Sequence, residues 1–374
     1  MNGDATSECA DAVLTMRPHL RAFMPGTALR MAWNAAVRLM ATPAIAPDVS
    51  ALEELLLQMW RIRSFEVRAM QLFEEKLIRG SVHPYIGMEA IAVGACSALR
   101  PTDYITSTHR GHGHCIAKNL ELRLMMAEIL GREAGYCRGK GGSMHITAVD
   151  HGMLGADAIV CGSSAIAVGA AHALRIKGED GVVVCFFGDG ASNQGLFHEA
   201  ANLAAVLAAP VVFVCENNQW AISTPVAAAT RIPDIAARAA SYGFPGVVAD
   251  GNDVLEMRTV TKEAAARARA GEGPTLIEAK SYRVTPHSAA TKTDLRDPAE
   301  LDEWRARDPI LRFARHLHDE SGLEEARLKD LEQQAQHEVD EAVEWALAQP
   351  RPEPGQEIED VYTPSDWTAS GRLS

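Results

Sequence analysis

The chain has 374 residues, 47% of them hydrophobic and 23% charged, a balance that excludes wholesale disorder and fibrous repeats and fits one large or two modest domains at ~150 residues each. A formal charge of −13, from 36 lysines and arginines against 49 acids, leaves no broad basic footprint, so no nucleic-acid partner is expected. Seven cysteines are scattered without a Cys-x-x-Cys pair, which argues against a disulfide framework or a zinc ribbon and for a reducing compartment.

Taken in chain order, the first feature is an acid-free stretch from Ala12 to Pro47 that carries Arg17, Arg21, Arg30, Arg38 and four prolines. Residues 1–48 read as a loosely ordered extension. The composition also suits an organelle transit peptide, but Asp4, Glu8 and Asp11 and the scarcity of serine speak against one, so the expected location is the cytoplasm. Leu52, Leu55, Leu56, Met59, Ile62 and Phe65 then repeat at helical spacing, and the helix should run into the low seventies. The glycine-dense stretch between Gly131 and Gly162 has no strong period and reads as loops, where binding chemistry tends to sit.

The most regular segment follows. VVVCFF (Val182 to Phe187) is an unbroken apolar strand, GDG a turn, the stretch through His198 to Ala208 a helix, and VVFVC (Val211 to Cys215) a second strand that ends in Glu-Asn-Asn. All the long apolar runs are far shorter than the ~20 residues of a membrane span, so no membrane is expected. Apolar runs without alternation imply strands covered on both faces: an α/β fold with a central, mostly parallel sheet, helices on both faces, and helical N- and C-terminal flanks. A further strand over Pro274 to Arg283 leads into a loop with His287. Asp297, Pro298 and Glu300 form an N-cap, first-turn proline and capping-box acid, and a later helix puts Leu328, Leu331, Ala335, Val339 and Ala342 on one face, a stripe for internal packing or a subunit contact. The globular domain is read as 49–350, with a tail over 351–374.

Neighbouring parallel strands would deliver Asp189, in the Gly188–Gly190 turn, and Asn218 to one crevice at the carboxyl edge of the sheet, where open α/β sheets bind ligands. A carboxylate and an amide oxygen, with a carbonyl and water, suit magnesium shared with a diphosphate. Either motif alone is a common turn. The 26 residues from Ala191 to Glu216 that separate them, a helix plus a strand, give the pair its weight. GKGGS (139–143) lacks Walker geometry, and no G-x-G-x-x-G is completed, which disfavours P-loop and nicotinamide readings.

With that spacing the chain resembles thiamine-diphosphate enzymes. From about Leu52 to Pro350 it resembles the alpha subunit of the dehydrogenase component of 2-oxo acid dehydrogenase complexes, in STHRGHGHCIAK (107–118), GKGGSMH (139–145), CFFGDGASNQGLFHEAANLAA (185–205), FVCENNQWAISTP (213–225) and SYRVTPHS (281–288). The resemblance implies the thiamine-diphosphate-binding fold, with thiamine diphosphate and magnesium as cofactors. It implies Asp189 and Asn218 as magnesium ligands with the main-chain oxygen of Trp220, and Arg110 on the diphosphate with His109 beside it. It further implies Gly188, with the main-chain N–H groups of Gly190 and Ala191, at the phosphates where the following helix starts, Ile159 and Val160 at the cofactor, and His112 and His287 in catalysis, the His287 imidazole exchanging protons near neutrality. The implied partners are a beta subunit in a two-alpha, two-beta assembly and a lipoyl-bearing acyltransferase that receives the acyl group cut from a small 2-oxo acid or acetoin. In the strip IVCGSSAIA, Cys161, Ser163, Ser164 and Ala165 replace the family's usual residues, and Ala158 replaces a frequent glycine. That departure motivates a second reading, a catalytically weakened paralogue that serves as a scaffold for a beta chain.

Overall fold

The computed structural model describes residues 49–359, so the extension read over 1–48 and the tail beyond 359 lie outside the described residues. Continuous apolar runs make the centre. Strands β1 (Tyr104–Thr108), β2 (Met153–Asp157), β3 (Val183–Gly188), β4 (Val211–Asn217), β5 (Gly246–Asp250) and β6 (Thr275–Lys280) form one sheet in the order β2-β1-β3-β4-β6-β5, with every neighbouring pair parallel. Every residue of β4 is buried. Successive side chains go to opposite cores: Val184, Phe186, Val212 and Val214 join one, and Val183, Cys185, Phe187, Val211 and Phe213 the other. Both faces are covered, which is why these strands show no polar alternation.

The first core is closed by α1 (Val49–Glu74), α2 (Glu89–Ser97), α3 (His112–Ala117), α4 (Leu122–Ile129) and α7 (Val254–Arg269); the second by α5 (Gly162–Lys177) and α6 (Gly195–Val206). Truncating a fully buried side chain such as Phe186 or Phe213 to alanine would cost ~3–5 kcal/mol. The apolar stripe expected on α1 is buried as read, and it also contains Glu66, a carboxylate with no exposure. The C-terminal helices are α8 (Pro298–Arg305), α9 (Pro309–Ser321) and α10 (Glu325–Ala348). Leu331, Ala335, Val339 and Ala342 of α10 join the first core, with Leu328 partly buried against it, so that stripe serves internal packing.

Three expectations change. The segment 131–162 contains the edge strand β2, a half-buried pentapeptide with a glycine at its centre and therefore no readable period. Asp297 caps α8 by accepting from the Ala299 N–H at 2.9 Å, but Glu300 does not close the box and instead accepts from the Trp220 indole at 3.5 Å. The helix after GDG begins only at Gly195, because Ala191–Asn193 forms a separate 3-10 turn.

From β1 the chain passes to β2 on one side and then crosses to β3 on the other. The carboxyl ends of β1 and β3 therefore flank the point where strand order reverses, the usual ligand crevice of such sheets.

Candidate active site

Four strand tips supply the crevice: His109 and Arg110 after β1, Asp189 after β3, Asn218 after β4, and Arg283 and His287 after β6. Register pairs Gly188 with Glu216, so Asp189 and Asn218 leave adjacent strands. Asp189 is 3% exposed, and burial pushes its carboxyl up to about 6, against the hydrogen bonds from its own and the Gly190 N–H and the attraction of Arg283 and Arg110. Gly190 is required here: a Cβ would lie 2.6 Å from that of Ala221.

The two asparagines divide their work. Asn217 donates to Glu278 at 2.7 Å and accepts from the Gln219 N–H at 3.2 Å, which fixes the turn. Asn218 keeps a lightly used amide, with Oδ1 3.3 Å from the Trp220 N–H and Nδ2 3.5 Å from the Met88 sulfur. The Trp220 carbonyl accepts from Arg283 Nη1 at 2.9 Å, and a carbonyl oxygen has a second lone pair for another partner. Among the described residues no group of three His, Cys, Asp or Glu side chains is arranged for a metal, so a cation here would draw on the Asp189 carboxylate, an amide and carbonyls, the hard donors that magnesium takes.

The cationic side carries the strongest signal. Arg110 donates to the Pro84 carbonyl at 2.9 Å, to the His287 carbonyl at 2.8 Å and to His287 Nδ1 at 2.9 Å. Arg283, only 2% exposed, donates to the carbonyls of Trp220 and Ile222 at 2.9 and 2.8 Å, and its buried Nε has no partner. Neither guanidinium bonds a carboxylate among the described residues. Burial and then Arg283 lower Arg110 to about 9; burial and then Arg296 lower Arg283 to about 10. Buried charges of this kind need a counter-charge.

His83, which the sequence reading missed, completes a ring cluster with His109 and His287. The centroids are 4.9 Å apart for His83–His109 and His83–His287 and 5.5 Å for His109–His287. Burial first, then Arg110, lowers these histidines to about 4, 2 and 3 for His83, His109 and His287, so all three are neutral at pH 7. Buried nitrogens of His83 (Nδ1) and His109 (Nε2) have no partner. Because arginine only donates, His287 Nδ1 is the acceptor and Nε2 carries the proton. His287 therefore offers a hydrogen bond to a ligand, and the expectation that it titrates near neutrality is corrected.

The partners of deeper groups were also invisible in the sequence. His112 Nδ1 lies 3.0 Å from Glu66, and its Nε2 lies 3.0 Å from the Ser143 hydroxyl. His114 joins Ser107, Tyr85 and Glu216 in a second buried network, in which Tyr85 donates to Glu216. The glycine loop 137–142 cradles an anion of the protein's own: the carboxylate of Glu128 accepts from the N–H groups of Cys137, Gly139, Gly141 and Gly142 at 2.7–3.0 Å. Ile159 and Val160 stand 70% and 54% exposed ahead of α5 and make no crevice wall within this chain. Cys161 takes a left-handed φ of 71°, a conformation that favours glycine.

Orphaned histidine and arginine nitrogens, two guanidiniums without a carboxylate hydrogen bond and a buried aspartate thus converge at the carboxyl edge of the sheet of an α/β protein. Residues 57–355 match the family described as Dehydrogenase E1 component. The chain belongs to that family, whose members are thiamine-diphosphate-dependent oxidoreductases. It is 45% identical over 306 residues to the alpha subunit of acetoin:2,6-dichlorophenolindophenol oxidoreductase of Bacillus subtilis (strain 168), covering 82% of this chain and 91% of that one. It is 41% identical to the subunit of that name from Cupriavidus necator (86% and 99% covered) and 42% identical to the chloroplastic pyruvate dehydrogenase E1 component subunit alpha-3 of Arabidopsis thaliana (80% and 72%). These relatives are named as oxidoreductase and dehydrogenase subunits, which favours the enzyme reading over the scaffold reading. Among the described residues no helix is long and apolar enough to cross a membrane.

Proposed function

We propose that this chain holds the diphosphate end of thiamine diphosphate, through magnesium, in an enzyme that cleaves the carbon–carbon bond next to the ketone of a small 2-oxo acid or acetoin. The observation that carries the reading is the pair of buried guanidiniums, Arg110 and Arg283, without a carboxylate partner beside Asp189. Asp189, Asn218 and the Trp220 carbonyl would hold the cation. Arg110 would balance the diphosphate charge with His109 beside it, while Gly188, Gly190 and Ala191 would let the ligand approach the backbone. Ile159 and Val160, exposed in this chain alone, would meet the cofactor where the partner subunit closes over it. When bound, the cofactor supplies a carbanion and an electron sink.

The chain's own residues do the rest. Arg110 fixes His287 in the tautomer that presents Nε2–H, so His287 can hold a substrate oxygen by hydrogen bond as its charge grows. Burial first, and then the nearby cations, keep the three histidines neutral. A beta chain in a two-alpha, two-beta assembly completes the site, and the acyl group passes to a lipoyl-lysine of a partner acyltransferase. The test is turnover of the purified assembly with its beta chain, followed by reduction of a dye acceptor with acetoin, pyruvate and branched-chain 2-oxo acids. Turnover of at least one of them that requires both the cofactor and magnesium is expected, and turnover of none would refute the reading.

A further inference from the structure

Glu66, His112 and Ser143 come from α1, α3 and the glycine loop, and they are 0%, 1% and 5% exposed. They stand in series. A Glu66 carboxylate oxygen lies 3.0 Å from His112 Nδ1, and the Ser143 hydroxyl lies 3.0 Å from Nε2. An ionised carboxylate only accepts, so it selects the Nδ1–H tautomer; Nε2 is then the acceptor and the serine donates. Phe65 packs edge-on against the imidazole, with centroids 5.3 Å apart, and limits its rotation. Ser143 cannot drift, because the loop that carries it is tied through Gly141 and Gly142 to Glu128.

This arrangement is costly for packing alone. The other Glu66 oxygen is buried without a partner, and a buried carboxylate so poorly compensated loses several kcal/mol of hydration. An aliphatic side chain would fill the apolar stripe of α1 without that loss. The array also adjoins the site: His112 stands two residues after Arg110, whose guanidinium bonds His287.

Resting on the proposed function, we infer that Glu66 and Ser143 are positioning residues for His112, setting its tautomer and ring plane beside the histidine cluster for turnover rather than for holding the cofactor. The three act as one unit, like other carboxylate–imidazole–hydroxyl arrays, in which support of the tautomer matters as much as the groups themselves.

The test uses the assembly with its beta chain, carrying Glu66→Gln, Ser143→Ala or both. Cofactor affinity is read by calorimetry, and kcat and KM on the substrate that the wild type turns over. Expected for Glu66→Gln is a fall in kcat of roughly 10- to 100-fold, with KM and cofactor Kd within about threefold. Ser143→Ala should lower kcat in the same way, and the double variant should be no slower than Glu66→Gln by more than about twofold. Unchanged kcat in either single variant, losses that multiply in the double variant, or a weakened cofactor Kd with normal kcat would each overturn the inference. If Glu66→Gln does not assemble, Ser143→Ala decides alone. A wild-type assembly that binds no thiamine diphosphate would instead sink the proposed function, and this inference with it.

Discussion

Replacing Glu128 with glutamine should release the glycine loop while the fold survives. The fully buried carboxylate accepts four main-chain N–H groups, from Cys137 (2.7 Å), Gly139 (2.9 Å), Gly141 (2.8 Å) and Gly142 (3.0 Å). Hydrogen bonds to a charged group contribute ~1.5–3 kcal/mol each, so a simple sum over four would be ~6–12 kcal/mol. That sum is an upper bound, because one charge serves all four and its own desolvation offsets part of the gain. Glutamine keeps one acceptor oxygen and turns an NH2 group toward the remaining donors, which leaves a loss of ~3–4 kcal/mol. Opening of the loop should become roughly 100- to 1000-fold more frequent, since each 1.4 kcal/mol is tenfold. Hydrogen exchange of peptides covering 133–147 in the assembled protein measures this directly. Unchanged exchange there, with an intact fold elsewhere, would refute the assignment of Glu128 as the loop's anchor.

Other perturbations test the site itself. Arg110→Lys keeps a charge but loses the fork that reaches the Pro84 carbonyl and both acceptors of His287; steady-state kinetics should show kcat down roughly tenfold or more, and normal turnover would contradict the role given to that fork. Gly190→Ala places a methyl 2.6 Å from the Ala221 Cβ, an overpacking cost of ~1–3 kcal/mol that should appear as a lower Tm and weaker cofactor binding. Acid should destabilise the cofactor-free protein. The folded-state values of His83, His109 and His287 lie below their ordinary 6.5, so the unfolded chain binds more protons and stability is lost as pH falls from about 6.5 toward 4. Asp189, raised to about 6, acts in the opposite sense, as do the raised Glu89 and Glu256, while the lowered Asp294 and Glu338 add to the loss in acid. A Tm that stays flat from pH 7 to 4.5 would contradict the neutral histidine cluster.

The sheet was legible where burial on both faces writes itself as an apolar run. Val183–Gly188 and Val211–Asn217 lie within two residues of the expected bounds, and their adjacency brings Asp189 and Asn218 to one edge. What stayed hidden was charge buried by distant partners. Glu66 sits among leucines at helical spacing and gives no sign of the histidine 46 positions away. Glu128 ends an apolar helix, and only the fold shows that the following glycines wrap it. Arg283 stood inside the quoted SYRVTPHS motif, and its place beside His287 could have been suspected from their spacing of four. His83, alone between valine and proline, carried no such signal. The start of α6 was misplaced because a 3-10 turn and a helix share the same small residues after GDG.

The most direct measurement of the central claim is a calorimetric titration of the assembly with thiamine diphosphate, with and without magnesium, for the wild type and Asp189→Ala. Saturable, magnesium-dependent binding by the wild type, abolished in an Asp189→Ala variant that still assembles, is the predicted result. Equal affinity in the two proteins, or binding indifferent to magnesium, would contradict a cation held between Asp189 and Asn218.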